Sequence, residues 1–380
     1  MERGHGMNSN SKIIELAQKI IKEAGGTTAA PEPTPQPSYV VIADMAELKA
    51  AVADGEADIR LASNEWPSLV LDQMPTKSPV YIAPLDGEHV FPPISVRRSN
   101  SLTFDGFKLV RPEGSDARSI LGLGADATDI KLLNLRGYAS SELLDDPKAY
   151  ADWTQAEWLA RKVGGVDSRS PGLVVEDCTM YGTYMSFSMT GKASQSRRNR
   201  AIGVPGDGFR LICDYGLSED DLVEDMFQIN GNHADVLQSW SIGEDGRPGT
   251  GVRRGLTVRR LTARQWTLGD DKAANPLRAH PQGIGLFDGM FEDLLIEDCD
   301  LDVGAYHGIS VYGGINAVLL RNKVWDHFRM EANGKYPWIR VGNHKNGTPS
   351  TGSVIVGNQA QTITIFDETA KVSGNVKLNA

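Results

Sequence analysis

The chain has 380 residues, 40% of them apolar and only 7% aromatic, and a net charge of −10. That length and apolar content support a sizeable core, while the charge argues against nucleic acid as the main partner. No apolar run approaches the roughly 20 residues a membrane-spanning helix needs, and the opening "MERGHGMNSNSKIIELAQ" contains no Sec signal peptide.

Residues 11–24, "SKIIELAQKIIKEA", have the spacing of an amphipathic helix, with Ile13, Ala17, Ile20 and Ala24 on one face and Gly25-Gly26 as its stop. The Pro-rich stretch 27–38, "TTAAPEPTPQPS", reads as an extended linker. Three domains are therefore expected: a helix over 1–26, a linker over 27–38 and a main domain over 39–380. A short helix held away from the main domain is marginal alone. Docking on a partner or bundling with its own copies is the preferred reading, with an unstructured leader as the alternative.

The texture changes at Tyr39. "VVIADMAELKAAVADGEADIRLAS" predicts strand, helix, strand, with the turn at Asp54-Gly55. Further on, only 148–162 shows helical character. Short segments recur at irregular intervals: "LVVEDCTMYG" (173–182), "LVEDMFQING" (222–231), "LLIEDCDLDVG" (294–304), "VLLRNKVWD" (318–326) and "VIVGNQA" (354–360). Each opens on an apolar pair and continues with a polar pair. Such recurrence marks a solenoid, whose coils stack because none can bury its apolar face alone. Cys178, Cys213 and Cys299 each lie in an apolar stretch and are expected as buried free thiols.

A capping helix followed by such coils resembles the pectate-lyase-like superfamily. The resemblance covers roughly residues 39–380 and implies an all-β fold, a right-handed parallel β-helix with an N-terminal capping helix.

In such a fold, equivalent residues of successive coils stack about 4.8 Å apart. "VPGDGFRLIC" (204–213), "NHADVLQSWS" (232–241), "AHPQGIGLFD" (279–288) and "AYHGISVYGG" (305–314) align, placing Asp207, Asp235, Gln282 and His307 in one column. The offsets are 235 − 207 = 28, 282 − 235 = 47 and 307 − 282 = 25. The first and last suit one coil each, and the middle one two. Period-2 alternation turns Phe209, Leu237, Ile284 and Ile309 inward. It turns outward a column of Arg210, Gln238 and Ser310, and another of Trp240, Phe287 and Tyr312. His233 and His280 fall just ahead, on the turn. One exposed face should thus carry a polar strip beside an aromatic strip, the mixture that carbohydrate recognition requires. Asp207, Asp235 and His307 are the candidate catalytic groups; His233, Gln238, Trp240, Arg210, Gln282, Phe287 and Tyr312 are the candidate substrate-binding groups. A structural or intersubunit face is the competing reading.

Two aspartates on adjacent coils have the chemistry of a glycosidase pair, since a close like charge raises one pKa and yields a general acid. Stacked aspartates could instead hold a cation, as in the Ca2+-dependent lyases of this fold, and Asp207 in "PGDG" could simply cap its turn. Polygalacturonases share the architecture, and "YHGIS" and "RNK" (321–323) are similar to two of their motifs. Their paired adjacent aspartates and Asn-Thr-Asp motif are absent here, so no catalytic residue is carried over from them. For a lyase, Arg210, Arg278 and Lys323 are the available bases. A hydrolase should place Asp207 and Asp235 in a groove walled by stretches 140–170 and 243–280, whereas a binder could leave them on an open face; 141–170 could equally be a loop excursion from the solenoid.

A β-helix without a Sec signal, preceded by a docking helix, resembles a phage tailspike or virion spike. That implies a virion component made in the host cytoplasm, a homotrimer, a virion or baseplate partner for residues 11–24, and a bacterial polysaccharide as ligand, bound or depolymerised. The alternatives are a non-catalytic receptor-binding spike and a bacterial glycan-active hydrolase or lyase.

Overall fold

Apolar residues at every second position, in strands too short to stand alone, leave the chain one way to bury them: by coiling and stacking. In the computed structural model, residues 39–269, 275–328 and 336–378 are described, all within the unit Tyr39–Ala380. Their strands form parallel sheets of 13, 11 and 11 strands, plus a small sheet of three. Successive coils contribute strands to the three long sheets in turn, which makes the fold a right-handed parallel β-helix. Readings that concern residues 1–38, the docking helix and the linker, lie outside the described residues.

The first sheet runs from Val40–Ile42 to Lys371–Ser373. Its inward column stacks Phe104, Leu132, Val175, Ser196, Ser218, Val258, Ile296, Leu319 and Ile355 in register. The helix Met45–Asp54 is capped by the Asp44 side chain and closed by Gly55 at φ 84°, the left-handed conformation that favours glycine. It buries Leu48, Ala51 and Val52 in the same core.

The recurring polar pair is the corner between the first and second sheets. Asp177, Arg198, Asp220, Arg260, Asp298 and Arg321 all take φ between 52° and 56°. Their charges alternate from coil to coil, so each corner is ion-paired to a neighbour: Arg198 to Asp177 (2.8 Å), Arg260 to Asp220 (2.6 Å), Arg321 to Asp298 (2.7 Å). The next residue of each corner is buried and forms a ladder. Asn199 Oδ1 accepts from the Cys178 backbone N–H at 2.9 Å, and Asp221 Oδ1 accepts from that of Asn199 at 2.8 Å. Asn322, Asn358 and Asn375 repeat the arrangement further along. Cys178, Cys213 and Cys299 are free and buried; burial pushes the Cys178 and Cys299 thiols up to about 12.

The helical stretch expected over 148–162 is a 3-10 turn, Ala149–Asp152, followed by the helix Gln155–Ala160 with a Thr154–Glu157 capping box. Tyr150 and Trp158 are buried among Phe227, Trp153 and Trp266. The Tyr150 hydroxyl donates to Asp225 Oδ2 at 2.7 Å. This excursion is thus pinned to the solenoid by an aromatic cluster.

Candidate functional site

The third sheet carries the site. Its strands Phe209–Leu211, Asp235–Trp240, Gln282–Asp288, His307–Tyr312 and Trp338–Gly342 lie side by side. Phe209 pairs with Leu237, Asp235 with Gln282, and Ile284 with Ile309, which is the register that the aligned segments predict. One offset is read differently. Asp235 and Gln282 are direct partners, so the 47 residues between them make one enlarged coil, where two were expected. A loop inserted at a corner lengthens the chain without adding a rung.

The expected site residues line one cleft of about 490 Å³, every one of them except Trp240. Tyr184, Met185, Asn232, Asp288 and Lys345 complete it. Trp240 departs because the register shifts between Gln238 and Trp240, pairing Trp240 with Asp288. The bulge breaks the aromatic column, and Trp240 lies beneath the Arg210 guanidinium, 5.4 Å away. The polar column continues as predicted through Arg210, Gln238, Gly285 and Ser310, and then reaches Arg340.

Asp207 and Asp235 were expected on an exposed face. They are 2% and 1% exposed. Asp207 sits in the turn before its strand, between two glycines that have no room for a side chain: a Cβ on Gly206 would meet the Tyr184 carbonyl oxygen at 2.1 Å, and one on Gly208 the Val223 side chain at 2.5 Å. Asp207 Oδ1 accepts from the Asp235 backbone N–H at 3.1 Å, and Oδ2 accepts from Arg210 Nε at 2.5 Å. Asp207 thus caps the main chain of the next coil, and its other oxygen binds a side chain and not the backbone of its own turn. Asp235 Oδ1 is buried and has no hydrogen-bond partner among the described residues. Gly285 leaves it space, since a Cβ there would stand 3.0 Å from Oδ1 and 2.5 Å from the Phe287 ring.

Burial pushes the Asp235 carboxyl well above the usual carboxylate range, and the Asp207 charge adds to that rise. Burial also raises Asp207, but the Arg210 guanidinium and its hydrogen bond oppose it. Of the two, Asp235 is the more strongly raised, because no cation hydrogen-bonds to it and offsets its burial as Arg210 does for Asp207. A calcium ion does not fit here: both Asp207 oxygens are engaged, one of them by a guanidinium that repels a cation. Among the described residues, no group of three or more His, Cys, Asp or Glu side chains could hold a metal ion.

His307 is half-buried, with its Nδ1 3.1 Å from Ser310 Oγ. Ser310 Oγ also accepts from Trp338 Nε1 at 2.9 Å. The imidazole packs against Phe287, Tyr306 and Trp338, at ring separations of 4.8, 4.2 and 5.1 Å. Trp338 and Arg340 are functional candidates that the sequence alignment missed. Their signal was the alternation Ile339, Val341 after "YPW", masked by the irregular spacing from the previous coil. His233 is exposed at the rim of the cleft. His280 turns away, toward Gly304 and Gln265. Among the described residues of 140–170 and 243–280, none lines the cleft, so the walls expected of a hydrolase are not found there; its sides come from Tyr184, Asn232 and the ion pair Lys345–Asp288 (2.6 Å). The first excursion is drawn instead onto the aromatic cluster around Phe227.

The fold is a parallel β-helix. No protein-family model matches the chain, and no curated protein matches it. Among solved structures it is similar to a double variant of pectate lyase from Xanthomonas campestris, at 12% identity over 71% of this chain and 82% of that one, with a TM-score of 0.39. It is also similar to the Dettilon tailspike protein (10% identity, 92% and 66% of the two chains, TM-score 0.43). A third likeness is to the catalytic domain of a GH87 alpha-1,3-glucanase (11% identity, 92% and 71%, TM-score 0.38). The chemistry of this chain therefore rests on its own cleft.

Proposed function

We propose that the chain is a phage tailspike or related virion spike that binds a bacterial surface polysaccharide in this cleft and cleaves it by acid-assisted hydrolysis. The observation that carries the reading is the buried carboxyl pair at the floor of an aromatic-walled cleft, Asp207 bonded to Arg210 and Asp235 the more strongly raised of the two. Asp235 would donate its proton to the glycosidic oxygen as the bond breaks, and water would add to the anomeric carbon, its released proton returning to the carboxyl pair. The Asp207 carboxylate, fixed by Arg210 and the Asp235 N–H, would face the positive charge developing on the sugar ring. Phe287 and Tyr312 offer ring faces to the apolar side of the sugar, while Gln238, Gln282 and His307 take hydroxyls. Attachment to a virion through residues 11–24 and assembly as a homotrimer belong to the same proposal.

One observation favours a second reading. With Asp207 and Asp235 at 2% and 1% exposure, the cleft could grip a glycan without cutting it.

The test is incubation with a panel of capsular polysaccharides, lipopolysaccharides and uronates, following reducing ends and the ultraviolet absorbance of unsaturated sugars. New reducing ends without absorbance, lost in Asp235→Asn, support hydrolysis. Absorbance would move the chemistry to a lyase, and binding without product would leave the recognition reading.

A further inference from the structure

Trp240 leaves the aromatic column at the bulge and does not line the cleft, yet its position is held from several sides. The Ser239 hydroxyl donates to the Leu211 carbonyl at 2.5 Å, and the Ser241 N–H to the Asp288 carbonyl at 2.9 Å, so the main chain is fixed on both sides of Trp240. The Trp240 carbonyl itself accepts from Arg253 Nη2 at 3.0 Å, and Arg253 Nη1 is held in turn by Asp214 at 3.1 Å.

The ring so placed lies against the Arg210 guanidinium. Arg210 Cζ stands 5.4 Å from its centroid, within the range at which an aromatic face attracts a cation. Arg210 has reason to need that support. Its stem leaves the strand Phe209–Leu211 between Ser188 on the preceding rung, a short side chain, and Gln238 on the next. Its ion pair among the described residues is to Asp207, through Nε at 2.5 Å. A guanidinium has five donors in a rigid fork, and one bonded nitrogen leaves the fork free to turn about its stem. A second acceptor is close at hand: Asp235 Oδ1, on the next rung, is buried and has no hydrogen-bond partner among the described residues. The indole face removes that freedom, because the fork must lie on the ring while Nε meets Asp207 Oδ2.

We infer that Trp240 is a positioning residue, whose indole face fixes the Arg210 guanidinium on Asp207 and thereby sets the environment of one member of the carboxyl pair. The inference rests on the carboxyl-pair reading of the cleft and assigns the tryptophan to the pair, one step removed from any substrate. The bulge after Gln238 is what brings ring and guanidinium together, since a regular register would pair Trp240 with Phe287 in place of Asp288.

The experiment follows the carboxyl carbon of Asp207 by NMR through a pH titration of the full chain, assigned with Asp207→Asn, in the parent protein and in Trp240→Leu and Trp240→Phe. Trp240 is part-exposed, so neither substitution opens a sealed cavity. Asp177, ion-paired to Arg198 on a far corner of the solenoid, is the control, and an unchanged midpoint there shows that each variant is folded. Loss of the ring should raise the Asp207 midpoint in Trp240→Leu by about half a pH unit or more, the effect of losing a cation–π contact of ordinary strength. Trp240→Phe keeps an aromatic face and should recover at least about half of that rise. An Asp207 midpoint that stays in place in Trp240→Leu would overturn the inference. So would an equal rise in both variants, since lost packing and not a lost ring face would then be the cause. The titration needs no substrate. If no polysaccharide yields product but Asp207 moves as expected, the hydrolase reading falls and the role of Trp240 stands. If product appears and Asp207 does not move, the inference falls alone.

Discussion

The backbone N–H of Asp235 donates to the Asp207 carboxylate across 3.1 Å, tying the acid of one coil to the main chain of the next. Arg210 closes the other side of Asp207, and no described residue hydrogen-bonds Asp235 Oδ1. Two identical side chains on adjacent rungs thereby stand in different environments, which raise Asp235 more than Asp207.

A bell-shaped dependence of cleavage on pH is the direct consequence. Activity should fall as pH rises through the raised Asp235 pKa, because the proton donor is lost, and fall again in acid as Asp207 is protonated. Arg210→Met removes the cation that opposes the rise of Asp207, so the acid limb should move to higher pH. Initial rates of reducing-end release across the pH range check both limbs.

The same substitution has a stability signature. Arg210 is partly exposed (24%) and Asp207 is not (3%), so Arg210→Met leaves a buried carboxylate without its partner and should cost about 1–3 kcal/mol at neutral pH. The folded-state pKa of Asp207 then lies further above its unfolded value, so stability is fully present below the unfolded pKa and is lost as pH rises through the folded one. Melting curves should show a deficit at pH 8 that shrinks toward pH 4.

Asp221 carries a similar burden away from the site. It is wholly buried, and burial raises its carboxyl to about 7 although Ser218 and the Asn199 N–H hydrogen-bond to it. The wild-type chain should therefore lose stability between about pH 4 and 7, by as much as about 4 kcal/mol. Asparagine already fills the ladder at 199, 322 and 358. Asp221→Asn should raise the melting temperature at pH 8 and leave it nearly unchanged at pH 4.

The alternating charges on the strand ends just before the corners predict a salt-sensitive defect. Arg197 lies between Glu176 (3.0 Å) and Glu219 (3.3 Å) on the neighbouring coils. Arg197→Glu would stack three acids at the rung spacing and should cost about 1–2 kcal/mol, partly recovered in high salt. Urea unfolding at low and high ionic strength measures it.

Much of this molecule is legible in its sequence. Period-2 alternation and the recurrence of "LIEDC"-like segments specify a stacked solenoid, because an apolar face that one coil cannot bury must be buried by the next. The offsets of 28 and 25 residues suffice to bring Asp207 beside Asp235 and His307 beyond Gln282. Three things depended on the tertiary structure. The bulge after Gln238 removes Trp240 from the aromatic column, and no local propensity marks it. The excursion around Trp158 has an aromatic cluster to join, which a reading of separate segments cannot supply. The aspartates are buried because Gly206 and Gly208 bring the main chain of Asp207 against its neighbours and because Arg210 and Phe287 lie over the pair. Alternation along a strand tells which way a side chain points. How much water reaches it is decided by side chains from other coils, and with it whether a carboxyl keeps its proton.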